Sequence, residues 1–302
     1  MSDIESLNRR FGAGRQLTFR KTGNGLIVAD IDTPHAVASL CLQGAHLMSW
    51  RPQSQAEPVV WLSRLAQPVP GKSMRGGVPV CWPWFGPHAT EAKLPAHGYA
   101  RTLSWDVTAA RLLDGGTVEI ALALAANEQT RALWPYRGRA ELLLTIGITL
   151  KAALTTVNED DRALTIGEAL HTYFHIGDIG AVRVRGLEGC EYLDKVDGGA
   201  RRRQDGAITF VGETDRIYVN TAAECVIEDE RLRRRIRIAK SGSRSTVVWT
   251  PWTEKAAKMG DFGPDGWRGM VCVESANAAE NVVTVAAGGR HTLAVEYGVE
   301  DL

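Results

Sequence analysis

The first place in this chain where residue types suggest ligand chemistry is Met74-Arg75-Gly76-Gly77-Val78-Pro79, a single cation beside two glycines. A guanidinium makes paired bonds to an anion, and glycines let a ligand approach the backbone closely. The run continues into an aromatic cluster, Trp82-Pro83-Trp84-Phe85-Gly86-Pro87-His88, and Leu94-Pro95-Ala96-His97-Gly98-Tyr99-Ala100-Arg101 then adds a second arginine and a histidine. Two arginines and a histidine suffice to enclose a phosphate group. Further on, His171 stands at the edge of an apolar strand pattern, and its imidazole can hold or release a proton near neutral pH. Glu274 ends the apolar run Met270-Val271-Cys272-Val273, where partial burial would lift a carboxylate toward a useful base. Taken singly, each has a plain structural alternative: Arg75 paired with an Asp, Trp82 and Trp84 in the core, His171 a hydrogen-bonded core residue, Glu274 in an ion pair.

Several familiar patterns fail on inspection. Gly71-Lys72-Ser73 looks like the end of a phosphate-binding P-loop, but the first glycine of that pattern falls on Ala66 and prolines interrupt the interval. Gly12-Ala13-Gly14 lacks the third glycine and the following helix of a dinucleotide site. His171 and His175 would suggest a zinc pair on a helix, yet Thr172, Tyr173 and Phe174 between them are strand formers. No Gly-x-Ser-x-Gly turn occurs. Arg231, Arg233, Arg235 and Arg237 alternate along an expected strand, and beside Glu228 to Glu230 they read as a solvated face rather than a nucleic-acid stripe.

Taken jointly, Arg-Gly-Gly-Val-Pro, Trp-Pro-Trp-Phe-Gly, His-Gly-Tyr-Ala-Arg, His-Thr-Tyr-Phe and Cys-Val-Glu resemble the motifs of the glucose-6-phosphate 1-epimerase branch of the aldose 1-epimerase (mutarotase) superfamily. They come in that family's order, and the resemblance runs from Phe11 to the last strand. It implies a galactose mutarotase-like supersandwich and an isomerase that interconverts the α and β anomers of a hexose 6-phosphate, D-glucose 6-phosphate first among them. It also implies His171 as catalytic acid, Glu274 as catalytic base, Arg75 and Arg101 as substrate-binding arginines, and His97 near the ring oxygen. Asp215 matches the carboxylate that holds sugar hydroxyls. The partner is a small sugar phosphate, and the proton chemistry calls for no cofactor and no metal. The match departs at Ala96, where relatives often carry Gln, so a polar contact to substrate is lost. Two other readings stay open: a sugar-phosphate-binding sandwich without activity, and a glycoside hydrolase or lyase on a related sandwich.

These residues must be positioned by strands. Alternating or branched segments bounded by Gly, Pro, Asn or Asp predict strands over 117–125, 141–157, 163–176, 182–185, 231–239, 246–250, 269–274 and 292–297. Helices are expected from a capping box at Ser2 and Glu5 and over 127–134. Two Pro-, Gly- and aromatic-rich stretches, 69–101 and 249–267, read as functional loops. With no repeat or compositional break, residues 1–302 are expected to form one mainly β domain, a large β-sandwich. Lysine plus arginine equals aspartate plus glutamate at 35 each, so no overall field draws nucleic acid or an anionic membrane. Five scattered cysteines suit a reducing cytoplasm, the start carries no secretory pattern, and no apolar run would span a membrane. Oligomeric state is left open by the sequence, with a monomer favoured.

Overall fold

The computed structural model describes residues 4–302. Three antiparallel sheets carry the architecture. A four-stranded meander comprises Leu17–Lys21, Ile27–Asp32, Ala36–Cys41 and His46–Pro52. One eight-stranded sheet runs Ala200–Arg203, Glu191–Asp194, Thr214–Tyr218, Ser245–Thr250, Met270–Asn277, Glu168–Leu170 and Val80–Cys81, with Tyr173–His175 also paired to Met270–Asn277. The other runs Val182–Arg185, Cys225–Asp229, Arg234–Ser241, Arg290–Asp301, Leu150–Asn158, Gly138–Ile146, Thr117–Leu124 and Asp106–Leu113. The two large sheets pack as a sandwich around one core cluster to which both contribute, with Met270, Val271 and Val273 from the first and Leu154, Leu293 and Tyr297 from the second.

Strand periodicity explains the layering. In Thr117–Leu124 the residues Val118, Ile120, Leu122 and Leu124 are buried while their neighbours are half-buried, as period-two alternation demands. Met270–Asn277 is buried at every position because it lies centrally, flanked by strands and covered on both faces. Polar groups on the sandwich interior find partners: the Trp82 indole donates to Thr156 Oγ1 at 2.9 Å, and the Thr172 and Tyr297 hydroxyls meet at 2.6 Å. Trp82 and Trp84 are therefore core residues, the plain alternative for both.

Several expected boundaries shift for local reasons. The segment 141–157 is two strands, because the chain reverses at Gly147, whose N–H donates to the Thr149 carbonyl. The segment 163–176 is broken at Gly167 and Thr172 into Leu164–Ile166, Glu168–Leu170 and Tyr173–His175. The expected 231–239 strand starts only at Arg234, since the Asp229 carboxylate accepts from the N–H groups of Arg231 and Leu232 and Arg233 adopts a left-handed φ of 52°. Arg235 and Arg237 face Glu300 and Glu224, a solvated charged face. Helix Glu128–Leu133 forms where expected, capped by the Asn127 side chain. The helix Ile4–Phe11 is present, while the Ser2 cap lies outside the described residues. Helix Trp252–Lys258, inside a stretch expected to be irregular, was hidden by the prolines and glycines around it. All five cysteines are free, and no described helix is long and apolar enough to cross a membrane.

Candidate active site

Strand Met270–Asn277 brings Glu274 to the floor of a cavity of about 570 Å³, a size suited to a small polar ligand. Its walls come from the 69–101 and 249–267 stretches and from the facing strands. Arg75, His97, Arg101, His171, Asp215 and Glu274, gathered from distant parts of the sequence, all line this one cavity. No lining residue belongs to the sheet that runs from Val182–Arg185 to Asp106–Leu113.

His171 follows directly on Glu168–Leu170, and its N–H donates to the Pro79 carbonyl, which sets the ring over the strand below. His171 Nδ1 lies 3.4 Å from Glu274 Oε1, within ion-pair reach but not aligned as a hydrogen bond. Nδ1 and Glu274 Oε2 are both buried without a hydrogen-bond partner. Because Nδ1 is the enclosed nitrogen, Nε2 is the one left toward the cavity. Buried polar atoms rarely stay unpaired in native proteins, and groups that do are commonly held for a ligand.

The arginines differ in what they touch. Arg75 Nε donates to Asp261 Oδ1 at 3.1 Å, Nη1 donates to the Tyr173 hydroxyl at 2.9 Å, and the guanidinium lies 5.1 Å above the Phe262 ring. Its pairing with an Asp is thus real, and it lines the cavity as well. Arg101 Nη2 donates to the Ala96 carbonyl at 2.7 Å and, among the described residues, makes no ion pair with a carboxylate. Its remaining donors leave uncommitted positive charge at the cavity wall, as does Lys195, which also lines it without an ion pair among the described residues. The backbone at position 96 is what meets Arg101, so a side chain there is free to face elsewhere. Asp215 sits 3.8 Å from Lys255 Nζ, and Lys255 also pairs with Glu213 at 2.6 Å.

Glycines in these motifs are required by close packing. A Cβ on Gly77, at φ 71°, would stand 2.1 Å from His46 Nε2 and 2.5 Å from the Leu47 carbonyl oxygen. On Gly98, at φ 73°, it would meet the Trp82 carbonyl oxygen at 2.0 Å. His97 just before it also takes a left-handed φ of 65°, held by its N–H donating to the Gly86 carbonyl at 2.7 Å.

Burial dominates the electrostatics. It pushes His171 well below the ordinary imidazole value, with further lowering from His97, Arg101 and Arg75. His97 falls to about 4 through burial and then through the nearby arginines. Burial, and next the Asp215 charge, raises Glu274 well above the carboxylate range. Burial also lifts Asp215, opposed by Lys255 and Lys195. Both shifts favour the neutral forms, imidazole and carboxylic acid, over the charged pair.

Residues not singled out from sequence complete the site. Tyr173 stacks on His171, Trp249 meets both rings edge-on, and Asp261 and Lys255 come from the 249–267 stretch. Tyr173 had a legible signal, two positions from His171 on the same strand face. Asp261 had none, lying in an irregular segment.

Residues 28–298 match the family model described as aldose 1-epimerase. A protein of Escherichia coli named "Putative glucose-6-phosphate 1-epimerase" is 41% identical over 251 residues, covering 83% of each chain. One of the same name from Cenchrus ciliaris is 33% identical over 260 residues, covering 83% of this chain and 78% of the relative. Among solved structures, a "putative mutarotase" from Salmonella typhimurium superposes with a TM-score of 0.90 at 35% identity, covering 97% of this chain and 96% of that one.

Proposed function

The chain belongs to the aldose 1-epimerase family, and from that premise we propose that it interconverts the α and β anomers of a hexose 6-phosphate, with D-glucose 6-phosphate the expected sugar. The observation that carries the reading is the His171 and Glu274 pair, 3.4 Å apart on the floor of the cavity, beside an arginine with no carboxylate partner among the described residues. A base and an acid held together, with a cation to anchor an anionic tail, are what ring opening of a sugar phosphate requires.

Anomer exchange removes a proton from the C1 hydroxyl and adds one to the ring oxygen, which breaks the bond from C1 to that oxygen and leaves an open aldehyde. With sugar bound, the Glu274 carboxyl proton passes to His171, and the C1 hydroxyl stabilises the Glu274 carboxylate by donating to it. Glu274 then takes the C1 proton while His171 protonates the ring oxygen. Rotation about the bond from C1 to C2 presents the other carbonyl face, and closure returns both protons. The protein is regenerated with its charge unchanged.

Arg101 and Arg75 bind the phosphate, remote from C1, and supply affinity and orientation rather than bond breaking. His97, neutral at working pH, offers a hydrogen bond near the ring oxygen, and Asp215 accepts from sugar hydroxyls. We further propose that residues 1–302 act as one domain, supported by the shared core, and that the protein works in a reducing cytoplasm, supported by its free cysteines. A sugar-binding protein without activity would show the same cavity, so rate decides. Freshly dissolved α-glucose 6-phosphate, followed by NMR exchange spectroscopy, should equilibrate faster with the protein than in buffer. Equilibration at the buffer rate, with the sugar bound, would leave a binding protein instead.

A further inference from the structure

Cys272 is two residues before Glu274 on the same strand and shares its face. The register fixes where that face points: Cys272 stands directly opposite Tyr173 on one neighbouring strand and Trp249 on the other, both of them cavity-lining residues. Donor atoms of His171, Cys272 and Glu274 all lie within 4.8 Å of one another. Two of these groups bring unsatisfied atoms, His171 Nδ1 and Glu274 Oε2, and the Glu274 side chain is only 1% exposed. Three donors of nitrogen, sulfur and oxygen type, closing on one point beneath an open cavity, match the ligand set of a zinc site that keeps its fourth position free.

We propose that the cavity floor is an inhibitory site for zinc-class divalent cations, ligated by His171 Nδ1, Cys272 Sγ and Glu274. Small shifts bring the donors from their present spacing to zinc bonding distances of about 2.0 Å for nitrogen and oxygen and 2.3 Å for sulfur. Binding forms one bond from the metal to each donor and releases the Cys272 thiol proton and the Glu274 carboxyl proton to solvent, so two positive charges replace two. The vacated protons matter for function: a metal held there occupies both groups that would exchange protons with the sugar. Hard cations such as magnesium, which favour oxygen ligands in octahedral array, are poor occupants. Asp261 pairs with Arg75 and Asp215 lies 3.8 Å from Lys255, which reduces the positive charge a cation meets at this end of the cavity.

Binding itself is independent of the proposed reaction, while inhibition rests on it, and the experiment separates the two. Cobalt added to the full-length protein should give a thiolate-to-cobalt charge-transfer absorption in the near ultraviolet, displaced by zinc and absent in Cys272→Ala. In the anomer-exchange assay zinc should inhibit and magnesium should not. Cys272→Ala should keep its turnover yet need at least roughly tenfold more zinc for half-inhibition, since loss of even an outer-shell partner costs ~10–100-fold in metal affinity. Cys272→Ser, closer in size, serves if the alanine variant folds poorly. No thiolate band, or equal zinc sensitivity in wild type and both variants, overturns the proposal. A thiolate band in a protein without anomer exchange would uphold the metal site and sink the catalytic reading.

Discussion

Tyr173 lies flat against His171, ring centroids 4.9 Å apart and planes 8° from parallel, while its hydroxyl accepts a hydrogen bond from Arg75. One side chain thus touches both the proposed acid and the proposed phosphate anchor. Removal of the ring in Tyr173→Ala should lower kcat about tenfold, the scale of a lost aromatic contact. Tyr173→Phe keeps the stack and should spare kcat, raising only KM for phosphorylated sugar. Equal losses in the two variants would show that the stack does not position His171.

Charge at Arg101 is the simplest handle on substrate class. Arg101→Leu should raise KM for glucose 6-phosphate about 10–100-fold, the worth of one hydrogen bond to a charged group, and leave free glucose nearly unaffected. Steady-state kinetics on the two sugars makes the comparison. A uniform change in both would move the phosphate elsewhere in the cavity.

His171→Ala and Glu274→Gln should each slow anomer exchange by ~10²–10⁴-fold. Glu274→Gln should lower thermal stability little, because Glu274 Oε2 makes no hydrogen bond to lose, whereas His171→Ala also gives up the ring contacts with Tyr173 and Trp249 and should cost some stability. The double variant should be no slower than the worse single one, as expected for an acid and a base that act together in one ring-opening step. Additive losses would mean two independent roles.

Two histidines should pull stability in opposite directions with pH. His291 is raised by its bond to Glu168, so it stabilises the fold fully below the ordinary value of 6.5, and that contribution is lost as pH rises through its raised value. His46 is buried and lowered to about 4, so stability is intact above 6.5 and declines as pH falls toward 4, by roughly 3 kcal/mol at the limit. Melting temperatures across this range should show His291→Gln falling below wild type only on the acid side, and His46→Gln losing less than wild type on acidification. The same pH profile in wild type and both variants would count against these assignments.

Much of this was written in local sequence. Period-two burial made the strands of 117–125 and 182–185 legible, and Asn127 announced its helix through a side chain that caps it. Long strands blurred where a reversal needed little punctuation, as at Gly147, or where one residue stepped out of line, as at Thr172. At the site, Arg75, His97, Arg101, His171 and Glu274 were legible because each sits in a dense run of glycine, proline or aromatic residues, or ends an apolar strand. Asp261 and Lys255 were not, since an exposed charge in an irregular segment looks the same whether it faces solvent or a cavity wall. Cys272 looked like any small apolar filler, and only the strand register shows what it stands beside.

The sheet that lends no wall to the cavity touches the reacting groups only from behind, through contacts such as the Tyr297 hydroxyl on Thr172. Its hairpin tips, at Gly147 and at Gly115 with Gly116, join neighbouring strands of that sheet, the Gly147 carbonyl also accepting from the Trp50 indole. New chain ends could be opened there, or foreign segments grafted in, without asking His171 or Glu274 to move. That sheet remains half of the shared core, but circular permutants cut at its tips would keep the site residues in place.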